Sequence, residues 1–180
     1  KVAAVGPSLH DYLKLDDHVL DIDLTPNRGD CFSVLGVARE IAARSGTGPL
    51  DESQPCVEAT SEATGSVELI DTEACSRFAG RVITGLDPSA RSPDWLRERL
   101  RRAGLRAIHP VVDVTNYVML EYGQPLHAYR LDRLSGAIRV RFAKPQEALT
   151  LLDGTALTLR GVCWASKHNG LRLHRASYRR

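Results

Sequence analysis

This sequence is short of the features that mark several large protein classes. No run approaches the roughly 20 apolar residues of a membrane-crossing helix, and the first residues lack the charged-then-apolar pattern of a signal peptide. Its four cysteines show no C-x-x-C spacing, which argues against a zinc site or a disulfide framework and favours buried free thiols. A Gly-rich phosphate loop, a Ser-His-Asp spacing and a metal-ligand cluster are also missing. We therefore expect a soluble, cytoplasmic protein without a metal site.

The composition is that of a globular chain whose charge is unevenly placed. Hydrophobic residues make up 43% of the 180 residues, enough for a core in one domain, or in one domain plus part of another. Residues 160–180 contain six of the 24 Lys and Arg residues but none of the 22 Asp and Glu residues. The body of the chain is thus mildly acidic and its tail basic, and a basic tail can bind phosphates.

The first part of the sequence predicts a small strand–turn–helix unit over residues 16–45. Val19–Leu24 alternates apolar and acidic residues, which is typical of a half-buried strand. Turn-forming residues follow at 25–30. Phe32–Arg44 then carries a helical stripe of apolar side chains, which Gly46 should end. Asp30 or Ser33 is the expected N-cap of this helix.

The second part predicts an incomplete α+β module over residues 66–160. Pro93 should open a helix that ends at Gly104 and exposes an arginine-rich face. Val111–Leu120 is apolar enough to be a helix or a strand packed against the core of the module. Strands are expected at 67–70, 78–83 and 138–142, and a hairpin at 149–159, whose Asp-Gly step suits a tight turn.

The remaining segments flank these two parts. Residues 1–15 look like the trailing end of a preceding region. Residues 46–65 are rich in Ser, Thr, Gly, Pro and Glu, which favours a linker. The basic residues 161–180 are expected to be a divergent tail.

Three polar residues have apolar neighbours and are the candidates for chemistry: Thr115, Asn116 and His127. An Asn among Val, Met and Leu must satisfy up to four hydrogen bonds, so it either holds the structure together or binds a ligand. A lone His is more often structural than catalytic. From the residues alone, the structural interpretation is favoured, and the chain is only a soluble α+β domain with one polar pocket.

Two segments resemble the beta chains of bacterial phenylalanine–tRNA ligases, in the right order and at about the right separation. Residues 21–43, DIDLTPNRGDCFSVLGVAREIAA, are similar to the second half of the first domain of that family, which follows an inserted OB-fold module. Residues 111–129, VVDVTNYVMLEYGQPLHAY, resemble the start of its B3/B4 editing module. The resemblance covers roughly residues 1–160.

The resemblance implies a part in phenylalanyl-tRNA aminoacylation and its proofreading. In this family the alpha subunit activates the amino acid with ATP and magnesium in an α2β2 complex, so this chain should need no cofactor itself. The beta-chain module hydrolyses mischarged tyrosyl-tRNA(Phe). The family's editing residues correspond to Arg106, which would contact the tRNA end, and to Thr115 and Asn116, which would position the ester and a water. His127 would orient that water or assist proton transfer.

The sequence departs from the family after the hairpin. A Gly-Gly loop and a Glu that reads the tyrosine hydroxyl are expected there, and residues 161–180 offer neither. We expect this segment to be out-of-frame sequence or a divergent paralogue's tail, exposed or poorly ordered from about residue 165. The isolated chain is then expected to be inactive in charging and editing. The alternatives are a non-catalytic module that binds RNA or an alpha-type subunit, and a nucleic-acid-binding regulator that uses the basic tail.

Overall fold

The computed structural model describes residues 5–6, 8–48, 50–51, 53, 56–73, 75–150, 154–159 and 164–166. By their packing, these residues form two compact units. The first combines Lys1–Gln54 with Pro88–Ala128, and the second combines Pro55–Asp87 with Tyr129–Arg180. The domain boundaries predicted from the sequence stay predictions, because a division by packing does not test them.

The regular structure described in the first unit is helical. A short 3-10 helix, Gly29–Cys31, precedes the second α-helix. The four α-helices are α1 (Leu9–Leu13), α2 (Val34–Ser45), α3 (Asp94–Arg102) and α4 (Pro110–Tyr122). Leu96 and Leu100 of α3 are buried, at 2% and 0% exposure, so the apolar side of this helix faces the interior of the unit.

Helix α2 confirms the prediction for its region, including both ends. The Ser33 hydroxyl accepts a hydrogen bond from the Gly36 N–H at 2.9 Å, which makes Ser33 the N-cap. Gly46 ends the helix with a positive φ of 69° and donates its N–H to the Ala42 carbonyl at 3.0 Å. A residue with a side chain rarely adopts that backbone conformation, so glycine suits this position.

The strand predicted at Val19–Leu24 is wrong. These residues form no strand, and Val19, Leu20 and Ile22 are 67%, 77% and 46% exposed. A strand needs a hydrogen-bonded neighbour, and the residues described in this unit provide none.

Helices α3 and α4 confirm and sharpen the predictions for their regions. Pro93 was predicted as the first helical residue and is the N-cap of α3, so the helix begins one residue later, at Asp94, and Gly104 follows the C-cap with a positive φ. Val111–Leu120, for which the sequence left helix and strand open, is part of a helix. Arg102 of α3 donates to the carbonyl oxygens of Leu13 and Lys14 at 3.0 and 2.7 Å, and so ties the end of α1 to this helix pair.

The second unit contains two small sheets. Strand β1 (Val67–Leu69) pairs in parallel with β2 (Ile138–Phe142), which pairs antiparallel with β5 (Trp164–Ser166). Strands β3 (Ala148–Thr150) and β4 (Ala156–Thr158) form the antiparallel hairpin, with Leu149 opposite Leu157. Among the described residues of this unit, the buried apolar side chains are those of Val140, Ala143, Leu149 and Leu159.

Most strand predictions for the second unit are confirmed. Strands at 67–70 and 138–142 and the hairpin are present, although its turn residues 151–153 lie outside the described part of the chain. The strand predicted at 78–83 is wrong, since these residues pair with no strand and Ile83 is 66% exposed. Together the helices and sheets confirm the α+β class.

Strand β5 lies where no strand was expected. Its pairing register places Ser166 opposite Val140 and Trp164 opposite Phe142, so the start of the basic tail joins the sheet. The tail is predicted to be exposed or poorly ordered from about residue 165, but Arg172, Arg175 and Arg179 lie outside the described residues. That part of the tail prediction stays untested.

Candidate functional site

Helix α4 carries two of the candidate residues, and strong signals at both ends fix it. His109 is the N-cap, and its Nδ1 accepts from the Val111 N–H at 3.3 Å. Pro110 opens the helix, where its missing N–H is no loss. Gly123 ends it with a φ of 75° and donates to the Met119 carbonyl at 2.9 Å. The helix is therefore a defined platform for the side chains between these ends.

Asp113 anchors this platform and is 1% exposed. The Ser92 hydroxyl donates to its Oδ2, while the N–H groups of Ile108 and His109 donate to Oδ1 at 2.8 and 3.4 Å. Burial acts to raise the pKa of Asp113, but the hydrogen bonds that it accepts hold the pKa below its usual range. The carboxylate thus stays ionised and joins three chain segments: the loop before α3, the loop before α4, and α4 itself.

Thr115 and Asn116 lie two and three residues beyond this anchor, in the middle of α4. Thr115 is half-buried and its hydroxyl donates to the Val112 carbonyl at 2.8 Å, one turn back. That bond uses the hydroxyl proton, so the Thr115 oxygen can only accept a hydrogen bond from any further partner. Asn116 is also half-buried, which leaves part of its amide accessible. The two residues are neighbours on one rigid element.

Arg106 and His127 lie at opposite ends of α4. Arg106 is exposed and comes two residues before Ile108, whose N–H is held by Asp113. His127 follows the Gly123 cap by four residues and is half-buried, with its Nε2 atom enclosed by protein. All four candidates fall in the first compact unit. Their assignment as site residues, and the role of each, stay predictions.

An open cavity of about 270 Å³ lies at the N-terminal end of α4. The ionisable residues of its lining are Arg91, Arg97, His109 and Asp113. The Asp113 carboxylate is occupied by its hydrogen bonds, so the side chains left to meet a ligand are basic. None of the four candidates selected from the sequence lines this cavity. Sequence reasoning also did not select Asp113, although a lone acid inside the apolar run Val111–Leu120 was a signal for it.

Two further classes of site are missing from the residues that the structure describes. None of their helices is both long and apolar enough to cross a membrane. They also contain no group of three or more His, Cys, Asp or Glu side chains arranged to hold a metal ion.

Comparison with known proteins assigns the sequence to a family. A family model described as the B3/4 domain matches residues 74–173, which continues past residue 160, where the resemblance was expected to end. The phenylalanine–tRNA ligase beta subunit of Photorhabdus laumondii is 52% identical over 158 residues. Those of Legionella pneumophila and Coxiella burnetii are 51% and 53% identical over 157 residues.

These relatives are much longer than the chain. Each alignment covers 87% of the chain but 20% of the relative, so the chain spans about one fifth of the length of the curated proteins it matches. The family model, by contrast, covers more than half of the chain. The chain therefore belongs to the B3/4 domain family, and over most of its length it is homologous to phenylalanine–tRNA ligase beta subunits.

Proposed function

We propose that this chain is the segment of a phenylalanine–tRNA ligase beta subunit that supplies one side of a site for hydrolysing tyrosyl-tRNA(Phe). The observation that carries the proposal is the anchored helix α4, which carries Thr115 and Asn116 as consecutive residues in a B3/4-family chain. An anchored helix keeps such side chains within the tolerance that catalysis requires.

The chemistry of the two amino acids supplies the need for such a site. Tyrosine is phenylalanine with one added hydroxyl, and an apolar pocket rejects such an analogue weakly. A synthetase that must separate the two gains from a second site that hydrolyses the wrong ester. In that reaction water adds to the ester carbonyl, the ribose hydroxyl leaves with a proton, and free tyrosine and uncharged tRNA are released.

The described geometry suits the four candidate residues to different parts of this reaction. Arg106 is exposed, and its guanidinium can bind a phosphate of the tRNA end with two parallel hydrogen bonds. The Thr115 oxygen and the Asn116 amide would hold the ester and the attacking water. His127, half-buried beyond the cap of α4, would accept the proton from that water.

The same proposal names the partners. The relatives are called beta subunits, and we propose an alpha subunit as the partner of this chain and tRNA(Phe) as its RNA. ATP and magnesium would serve aminoacylation in the assembled enzyme, on the alpha subunit. The chain's own residues would bind and hydrolyse the ester without either.

The test uses a full-length subunit, because the chain spans only one fifth of its relatives. The matching fifth of the Photorhabdus laumondii beta subunit is replaced by this chain and assembled with the alpha subunit, and single-turnover hydrolysis of tyrosyl-tRNA(Phe) is followed. We expect His127→Ala and Asn116→Ala each to slow hydrolysis by about 100-fold. His10→Ala, an exposed histidine of the same unit, is the matched control and should leave the rate unchanged.

Two results would contradict the proposal. Hydrolysis that is unaffected by both substitutions would place the chemistry elsewhere. Binding of tyrosyl-tRNA without any hydrolysis above the uncatalysed rate would favour the non-catalytic binding module instead.

A further inference from the structure

Helix α3 presents an exposed tryptophan, Trp95, whose side chain is 56% exposed. Its ring meets the ring of Tyr117 on α4 edge to face, with centroids 5.5 Å apart and planes at 83°. Tyr117 directly follows Asn116, so the aromatic pair adjoins the proposed hydrolytic residues. A large aromatic ring that is held in place but left open to solvent marks a binding surface, because stacking on it requires little further ordering.

An arginine lies on the same side of the helix. Arg99 follows Trp95 by four residues, which places the two side chains one above the other along α3. Burial and the Glu121 carboxylate raise the pKa of Tyr117, while the Arg99 charge acts on the same ring in the opposite direction. Arg99 and the aromatic pair therefore form one local cluster on α3 and α4, with Glu121, half-buried, as its acid.

The other arginines of α3 are engaged. Arg101 is paired with Glu98 at 2.9 Å, and Arg97 with Asp94 at 3.6 Å. Arg102 is paired with Asp17 and, more loosely, with Glu98. The ion pairs found among the described residues do not include Arg99, whose charge is thus available for a ligand. Arginine is the side chain best suited to a phosphate, and it can also stack on a base.

We infer that Trp95 and Arg99 form a nucleotide-binding surface in which the indole stacks on a base of single-stranded RNA and the guanidinium contacts the adjoining phosphate. An exposed ring beside an available cation is the combination with which proteins hold unpaired nucleotides, since every base offers a face for stacking. The inference rests on the proposed function, because it takes the RNA to be the unpaired end of the tRNA that leads into the site on α4.

The test measures RNA binding by this chain within the full-length beta subunit in which it replaces the matching fifth. The probes are a tRNA(Phe) transcript and an eight-nucleotide single-stranded RNA, and the two readouts are dissociation constants and quenching of tryptophan fluorescence. Stacking of one base is worth about 1–3 kcal/mol, so Trp95→Ala should weaken binding of both probes by about 10-fold. Trp95→Phe should retain most of the affinity but remove the contribution of Trp95 to the quenching that the parent chain shows on binding RNA.

The charge variants supply a matched comparison. Arg99→Gln should weaken binding and lower the salt dependence by about one phosphate contact, a change of about 0.7 in the logarithmic slope for single-stranded RNA. Arg101→Gln removes the same charge from the same helix, but from a side chain bound to Glu98, and should change the affinity by less than about twofold.

Three outcomes would overturn the inference. These are RNA binding that is indifferent to Trp95→Ala and Arg99→Gln, the absence of RNA binding by the parent chain, and tryptophan fluorescence that responds to an alpha subunit but not to RNA. The last would show that a protein covers Trp95. Each differs from failure of the proposed function, which is read from the dependence of hydrolysis on His127 and Asn116.

Discussion

Replacing Asp113 by alanine should loosen helix α4 more than any other single truncation in its neighbourhood. The substitution removes a buried carboxylate and leaves the Ser92 hydroxyl and the Ile108 N–H without their acceptor. The bond from the His109 N–H, at 3.4 Å, is long and adds little. Two hydrogen bonds to a buried charge, at about 1.5–3 kcal/mol each, predict a loss of about 3–6 kcal/mol.

Two gentler substitutions separate the charge from the shape. Asp113→Asn keeps an oxygen for the Ile108 N–H, and the Ser92 hydroxyl can turn to accept from the new amide, so the expected loss is about 1–2 kcal/mol. Ser92→Ala removes one donor and should cause a similar loss. Combined with Asp113→Ala it should add little, because the two residues share one interaction.

Amide hydrogen exchange within α4 is the suitable assay, since the chain forms two compact units and need not unfold in one step. The opening free energy of the α4 amides should fall by the amounts given above. The pKa of Asp113 is lowered by folding, so its contribution is complete above about pH 3.9 and is lost as the pH falls through the lower folded-state value. A loss below about 1 kcal/mol for Asp113→Ala would refute the assignment of Asp113 as the anchor of α4.

Two further predictions concern stability elsewhere in the chain. A Cβ at Gly36 would lie 2.0 Å from the Asp30 carbonyl oxygen. Gly36→Ala should therefore lower the urea midpoint and destabilise the first unit by at least about 2 kcal/mol. Gly29→Ala is the control and should destabilise the unit much less, because a Cβ there meets nothing within 4 Å. In the second unit, hydrogen bonds from Arg141 hold the pKa of Glu147 at about 2, so the stabilisation is complete above about pH 4.3 and disappears as the pH falls through about 2. Glu147→Gln should lower the free energy of unfolding by about 2 kcal/mol at pH 7 and reduce the loss of stability in acid. An unchanged dependence of stability on acid pH would contradict the role of the Arg141–Glu147 pair.

The parts of the fold that sequence could predict are those with local signals. Helix α2 has a serine N-cap, a stripe of apolar residues and a terminal glycine, and its ends could be placed to within a residue or two. The α3 helix and the β3–β4 hairpin followed from a proline and from an Asp-Gly turn in the same way. Each of these signals acts over a few residues, so the chain itself carries the information.

The errors arise where the outcome depends on distant partners. Residues 19–24 and 78–83 have strand-like composition, but a strand forms only where another strand lies beside it, and composition does not say whether one does. Strand β5 is the converse case, in which β2 supplies the partner for a segment with no strong signal. At the site, the role of Asp113 was missed because the groups that donate hydrogen bonds to it, from Ser92 and Ile108, lie in separate loops.

The most direct test of the central claim compares the hydrolysis of tyrosyl-tRNA(Phe) with that of phenylalanyl-tRNA(Phe) by the full-length subunit that carries this chain. If the segment supplies the hydrolytic side of an editing site, the tyrosyl ester should be hydrolysed at least about 10-fold faster, and His127→Ala should abolish that difference while the affinity for tRNA persists. Equal rates for the two esters, or a preference that survives His127→Ala, would contradict the account.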